Sequence, residues 1–277
     1  MATIGAHMII RNGDIYDFPW REGILSIIDV VDEFVLLEAY SDRDNTYEEC
    51  KKMARQHPKI RVIRDVWDGD EPEGHEFLRL SRLTNRCIEE IQSDWQWQIQ
   101  GDECYHEGEL WELLKIMGGK GRFGHNARAI MVPFWHFVGN YNTVFPFVYG
   151  AAIRIARRDS TWRASGDAWN MECTERMDNF VVSAGVCHCY HYGFTGDPFK
   201  RLEKEFFFQQ MFRSHGFPDP RIVEMYEQGK PLDVSYLFQD AKEKGLFSPW
   251  HGTHPKVMEK WIAAHRQYEA AFSGESA

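Results

Sequence analysis

The chain has 277 residues, 43% of them hydrophobic and 14% aromatic, with a formal net charge of −10 and a pI near 5.7. That is enough apolar material for a substantial core and excludes a disordered chain. The acidic balance excludes a nucleic-acid backbone as a natural partner, because such binders carry a basic face.

No apolar run approaches the ~18 residues of a membrane span, and the N-terminus lacks the basic-then-apolar order of a signal peptide. The six cysteines are scattered without disulfide spacing, which points to a reduced, cytoplasmic protein. Residues 1–7 (MATIGAH) read as a leader, so the fold is expected to begin at Met8.

Met8–Arg11 reads as a short strand ending in the turn signal Asn12-Gly13-Asp14. Pro19 opens a helix with Ile24, Leu25, Ile27 and Ile28 on its apolar side. Phe34–Ala39 is almost continuously apolar, the mark of a strand buried on both faces of a parallel sheet. A polar loop, Ser41–Thr46, leads to a helix over Thr46–Gln56, then a strand over Ile60–Val66 and a helix over His75–Gln92. In the next run Trp95, Trp97 and Ile99 alternate with Gln96, Gln98 and Gln100, the pattern of a strand, which stops at Gly101. Strand and helix thus alternate in the manner of a doubly wound α/β layer.

After Asp102 the pattern changes. A helix over Gly108–Met117 and a flexible Gly118–Gly121 break precede strands over Ala129–Val138, Phe147–Ala156 and Phe180–Tyr192. No full helices separate these strands, so they are expected as antiparallel additions to the sheet. Residues 8–195 read as the sheet domain. Residues 196–277 read as a helical extension packed on it, with helices over Pro198–Phe212, Arg221–Glu227, Val234–Lys244 and Pro255–Ala271.

The acidic pair Asp102-Glu103 directly follows a strand, where open α/β sheets bind ligands. Mg²⁺ and Mn²⁺ favour such oxygen ligands together with substrate phosphates. On a strand, Cys187, Cys189 and His191 share one face, but no second pair completes a zinc set. A single imidazole from His191 on an Asp102 cation is the more economical expectation. Arg11, Glu38, Asp42 and Arg79 stand at neighbouring strand ends or on the preceding helix, where arginine suits a diphosphate and carboxylate a ribose.

Together these residues resemble the family 2 glycosyltransferases of the GT-A fold, in a bacterial and phage-like subgroup. The resemblance rests on the order of Arg11-Asn12, Ser41-Asp42-x-Asp44-x-Thr46, Arg79 and Asn85 ahead of Asp102. Further on it rests on His136–Tyr141, Ala152–Ile155, Gly166-Asp167-Ala168, Tyr190–Gly193 and His254-Pro255. It implies a GT-A-like α/β fold and a metal-dependent, inverting hexosyltransferase. The donor would be a nucleotide-diphosphate sugar, UDP favoured, and the acceptor a glycan or other hydroxyl.

Asp102 and His191 would hold Mn²⁺ or Mg²⁺. Arg11, Glu38, Asp42, Arg79, Gln100, Gly101 and Arg154 would bind the nucleotide-sugar. Asp167 would be the catalytic base, with Glu172 and Asp178 as alternatives, and Trp135, Trp162 and Trp169 are possible sugar platforms. The family's D-x-D motif has Gln100 at its first position here, which removes a charge. That departure keeps open an inactive carbohydrate- or nucleotide-binding protein, beside a nucleotidyltransferase.

Overall fold

The computed structural model describes residues 2–120, 126–145, 150–158, 161–174 and 181–271. Its first half alternates β1 (Ile4–Ile10), α1 (Trp20–Ile27), β2 (Glu33–Glu38), α2 (Thr46–Gln56), β3 (Ile60–Arg64), α3 (Leu78–Glu90) and β4 (Trp95–Gln98). Strand β1 starts four residues before the Met8 boundary expected from sequence: Gly5–Ile10 pair with β2, and Ile4–His7 pair with β4. The cause is burial, since Ile4 and Ala6 enter the same core as Met8 and Ile10.

Strands β1, β2 and β3 lie parallel in that order, and after α3 the chain returns to the free side of β1, giving β3-β2-β1-β4. That reversal opens a crevice at the carboxyl ends of β1 and β4, the usual ligand position in such sheets. The alternation of β2 explains why it is central. Phe34 and Leu36 face the core beneath α1, while Val35 and Leu37 pack against Leu83 and Cys87 of α3.

The second half comprises β5 (Glu103–Tyr105), α4 (Leu110–Met117), β6 (Ala129–Val138), β7 (Thr143–Val144), β8 (Ala151–Arg157), β9 (Trp162–Ala164), β10 (Met171–Cys173), β11 (Val181–Ser183) and β12 (Cys189–Phe194). Strand β8 pairs antiparallel with β4, and β6 antiparallel with β8, so the sheet is mixed. The strand expected over Phe180–Tyr192 is two strands, β11 and β12, both parallel to β6. Gly185, at φ +66° between them, turns the chain. Gly121, Phe147–Tyr149, Asp178 and Phe180, which figure in the sequence expectations, lie outside the described residues.

The C-terminal segment continues with α5 (Pro198–Gln210), α6 (Pro220–Glu227), α7 (Val234–Leu237), α8 (Gln239–Glu243), β13 (Ser248–Pro249) and α9 (Glu259–His265). Asp197, Asp219 and Asp233 each cap the helix that follows by accepting a backbone N–H, and proline opens α5 and α6. The helix expected over Val234–Lys244 is broken at Phe238 into α7 and α8. Leu202, Ile222 and Val234 pack on Val138 of β6, while Met258 and Ile262 pack on Tyr190 and Tyr192 of β12.

One buried carboxylate ties this segment to the sheet. Asp17, in a left-handed turn at φ +59°, accepts the Asp197 N–H at 3.0 Å and faces the His265 Nε2 at 3.2 Å. Arg201 donates to its backbone oxygen. Burial alone would raise the Asp17 pKa, but the His265 hydrogen bond and the nearby Arg201 and His265 charges bring it down to about 2.

A depressed carboxylate stabilises above its unfolded pKa and loses that contribution as pH falls toward 2. Asn tolerates the left-handed conformation, so Asp17→Asn should cost about 2 kcal/mol at pH 6. The deficit relative to wild type should shrink below pH 4. Urea unfolding of both proteins at pH 6 and pH 3 checks this.

Candidate functional site

The crevice between β1 and β4 is a cavity of about 610 Å³. Its sheet wall carries Arg11 from the end of β1 and Gln100, Gly101 and Asp102 from the turn after β4; Arg79 comes from α3. The loop Asp167–Trp169 and His191 of β12 close one side, and α5 supplies Lys204 and Glu205 on the other.

Asp102 is central. Its backbone oxygen accepts the Tyr192 N–H at 2.8 Å, which brings β12 alongside. Its Oδ2 lies 3.5 Å from His191 Nε2 and receives the Lys204 ammonium at 3.2 Å. Burial would raise its pKa, but the Lys204 charge, then that of His191, hold it well below the usual carboxylate range.

The close approach depends on Gly193. A Cβ there would lie 2.7 Å from both Asp102 Oδ2 and His191 Nε2. His191 is oriented from behind, its Nδ1 3.1 Å from Nδ1 of the fully buried His136. If His191 donates its Nδ1 proton to His136, its Nε2 lone pair faces the Asp102 side.

An oxygen and an imidazole nitrogen 3.5 Å apart fit one Mn²⁺ or Mg²⁺, whose ligand distances are about 2.1 Å, with phosphate oxygens and water completing the shell. No group of three or more His, Cys, Asp or Glu side chains suited to a metal occurs among the described residues. An ion held here would take its remaining ligands from bound phosphate and water.

The acidic pair splits. Glu103 turns inward and is fully buried against Arg154, whose Nε lies 3.1 Å from Glu103 Oε1 and whose Nη1 donates to the Trp169 carbonyl. Arg154 is not part of the cavity lining; in place of the expected nucleotide-sugar contact it forms a structural ion pair beneath the Asp167–Trp169 loop.

Two further expectations change in the same way. Glu38 is buried, bonded to the Ser41 N–H and to Arg64 Nε at 2.8 Å. Asp42 lies outside the lining and bonds Arg11 at 2.8 Å and Asn12 at 3.0 Å. The Ser41–Thr46 loop is a staple for the turn after β1: Thr46 accepts from Gly13, and Asp44 from Asp14 and Ile15.

Asp167 lines the cavity in a loop pinned from below. Gln98 and Gln100 both donate to the Ala168 carbonyl, at 2.7 and 3.1 Å, and Ala168 sits at φ +61°. Glu172 lies on β10 outside the lining. Trp169 is 42% exposed at the cavity edge, whereas Trp162 is core and Trp135 is packed between His188 and Trp250. Cys187 and Cys189 are buried among apolar groups, which pushes their thiols up and makes zinc binding unfavourable.

Several lining residues have no counterpart in the sequence reading. Lys204 and Glu205 belong to α5, about a hundred residues from Asp102, and helical spacing alone does not show which surface they meet. His7 lies in the cavity floor opposite Gln98, fully buried, with neither ring nitrogen hydrogen-bonded. Burial, aided by the Arg154 charge, lowers its pKa to about 3.

No protein-family model matches the chain, and neither does any curated protein. Solved structures with a similar chain path include S. aureus TarS 1-349, at 12% identity and a TM-score of 0.45, covering 95% of this chain and 78% of that one. The same fragment in complex with UDP-GlcNAc gives 13% and 0.45 over 85% and 73% of the two chains. The longer S. aureus TarS gives 11% and 0.43, over 74% of this chain and 38% of that one. At these values the likeness assigns no residue a role. Among the described residues no helix is long and apolar enough to cross a membrane.

Two stability predictions follow from the site's framework. Arg154→Met leaves Glu103 buried and unpaired and should cost about 3–5 kcal/mol, with most of it recovered in the Arg154→Met, Glu103→Gln double variant. Chemical unfolding of the three proteins measures this. His7 is depressed below its unfolded value of about 6.5, so it stabilises above that pH and loses the contribution as pH falls toward 3. Wild type should therefore lose about 2–3 kcal/mol relative to His7→Gln between pH 7.5 and pH 4.5, read by urea unfolding at each pH.

Proposed function

We propose that the chain is an inverting, metal-dependent glycosyltransferase that moves a sugar from a nucleoside-diphosphate donor, a UDP-sugar by preference, to a glycan or other hydroxyl acceptor. One observation carries the reading. Asp102 stands ionised and buried at the switch point of the sheet, facing His191 in a cavity of about 610 Å³. The order of sequence motifs that resembles family 2 glycosyltransferases supports it.

A Mn²⁺ or Mg²⁺ ion held by Asp102 and His191 would supply Lewis-acid stabilisation of the diphosphate leaving group. Arg11 and Arg79 place positive charge beside Trp67, 5.2 and 5.5 Å from its ring centre, and orient the nucleotide end. Trp169 offers an apolar ring face to an acceptor sugar. The Asp167 carboxylate takes the acceptor proton as the hydroxyl oxygen bonds to the anomeric carbon. The bond from that carbon to the diphosphate breaks, and the nucleoside diphosphate leaves. Phe194 and Phe207, which line the cavity, would supply apolar surface that excludes water there.

A thermal-shift and calorimetric screen of UDP, GDP, CDP and ADP, with and without Mn²⁺, tests this. One diphosphate at a hundred times its Kd should stabilise the protein by about 2.7 kcal/mol. The gain should require Mn²⁺ and vanish in Asp102→Asn. If none of the four stabilises wild type, the transferase reading fails. Asp167→Asn should keep the binding and lower kcat by roughly 10²–10⁴-fold, measured with the sugar nucleotide that binds. Unchanged turnover in that variant removes Asp167 as the base.

A further inference from the structure

We propose that Lys204 is a reserve cation that neutralises Asp102 in the free protein and moves to the donor diphosphate when a divalent ion takes that carboxylate. The inference rests on the nucleotide-sugar reading above. Its starting point is a shared atom. Lys204 Nζ and His191 Nε2 both address the same oxygen, Asp102 Oδ2, at 3.2 and 3.5 Å. An ion that joins Asp102 to His191 needs the oxygen that the ammonium holds, and two cations repel at that separation.

The displaced ammonium has nowhere remote to go. Helix α5 is pinned one turn earlier by Arg201, which is buried and donates to the backbone oxygens of Asp17 and Gly193. Lys204 itself also donates to the Gly193 carbonyl at 3.1 Å, and its Nζ lies 5.1 Å from the Phe18 ring and 5.8 Å from the Phe194 ring. Only 13% of its side chain is exposed. Once released from Asp102 it remains in the cavity, beside the ion, where a diphosphate held by that ion presents its oxygens. A flexible four-carbon stem suits this exchange better than a guanidinium fork.

The other cavity cations are differently committed. Arg11 and Arg79 each already bond a carboxylate outside the lining, Asp42 and Asp68, both at 2.8 Å. Arg213 bonds the neutral Gln210 and adds to the field from the far end of the segment. Lys204 alone among these four is tied to the carboxylate that an ion would claim.

The bland alternative makes Lys204 a structural counter-ion for a buried acid. The two readings predict different signs for nucleotide binding. The test uses wild type, Lys204→Met and Lys204→Gln; the glutamine keeps a hydrogen-bond donor for Asp102 and Gly193 if methionine prevents folding. Free Mn²⁺ is titrated by EPR without nucleotide, and UDP, GDP, CDP and ADP are titrated by calorimetry at saturating Mn²⁺.

Removing the competing ammonium should tighten Mn²⁺ binding several-fold. It should weaken binding of the preferred diphosphate by roughly 10-fold or more, since a charge-assisted hydrogen bond is lost. Lys204→Arg should recover part of the nucleotide affinity. Diphosphate affinity unchanged or raised in both neutral variants overturns the exchange, as does Mn²⁺ binding that is no tighter than in wild type. Wild type that binds none of the four diphosphates overturns the nucleotide-sugar reading itself, so the two failures are distinct.

Discussion

Two adjacent carboxylates buried at the end of one strand set the terms for this structure. A buried charge is tolerated only when it is paired, and Asp102 and Glu103 point opposite ways, so each needs its own partner. Glu103 takes Arg154 from β8, and the pair is sealed from solvent. Asp102 takes Lys204 from α5 and His191 from β12. The inward pair fixes the strands that extend the sheet beyond β4. The outward one brings α5 to the cavity wall, so the cavity is incomplete without that helix.

The first half of the fold was legible because period and burial coincide there. Phe34–Leu37 faces two cores, Trp95–Ile99 alternates cleanly, and a single rule places the cavity where the strand order reverses. The second half was less legible. The strands β11 and β12 run parallel to β6 with no crossover helix among the described residues between them, and periodicity carries no information about pairing partners. The N-terminal boundary failed for a different reason: residues 1–7 read as a leader, and only the strands and core that Ile4 and Ala6 meet reveal the strand.

Of the residues expected from strand-end position and motif order, Asp102, His191, Arg11, Arg79, Gln100, Gly101 and Asp167 are brought to one cavity by the structure. Glu38, Asp42 and Arg154 satisfied the same criteria yet serve the framework. A polar residue at a strand end has two fates, facing the ligand or holding the loop that does, and its sequence position is the same in both. Lys204 was invisible because its partner is a hundred residues away. Helix α5 also has aromatic residues on several sides, which blurs the face that turns inward.

Gln98 at the end of β4 and Gln100 in the turn after it connect these observations. Where an acid was expected, Gln100 joins Gln98 in holding the Ala168 carbonyl, a task a carboxylate cannot perform because it has no proton to donate. The substitution thus exchanges a negative charge for a loop anchor beneath Asp167. It also alters the charge balance. Among the described residues the lining carries four carboxylates, Glu76, Asp102, Asp167 and Glu205, against four cations, Arg11, Arg79, Lys204 and Arg213. A further acid at position 100 would leave the cavity net negative and repel a diphosphate before any ion arrived. With glutamine there, the lining is balanced, and on the proposed reading one divalent ion would match the charge of an incoming diphosphate without a second carboxylate to hold it. On the proposed transferase reading Gln100 would be compatible with catalysis, with His191 and phosphate oxygens joining Asp102 around an ion and Lys204 released to the diphosphate.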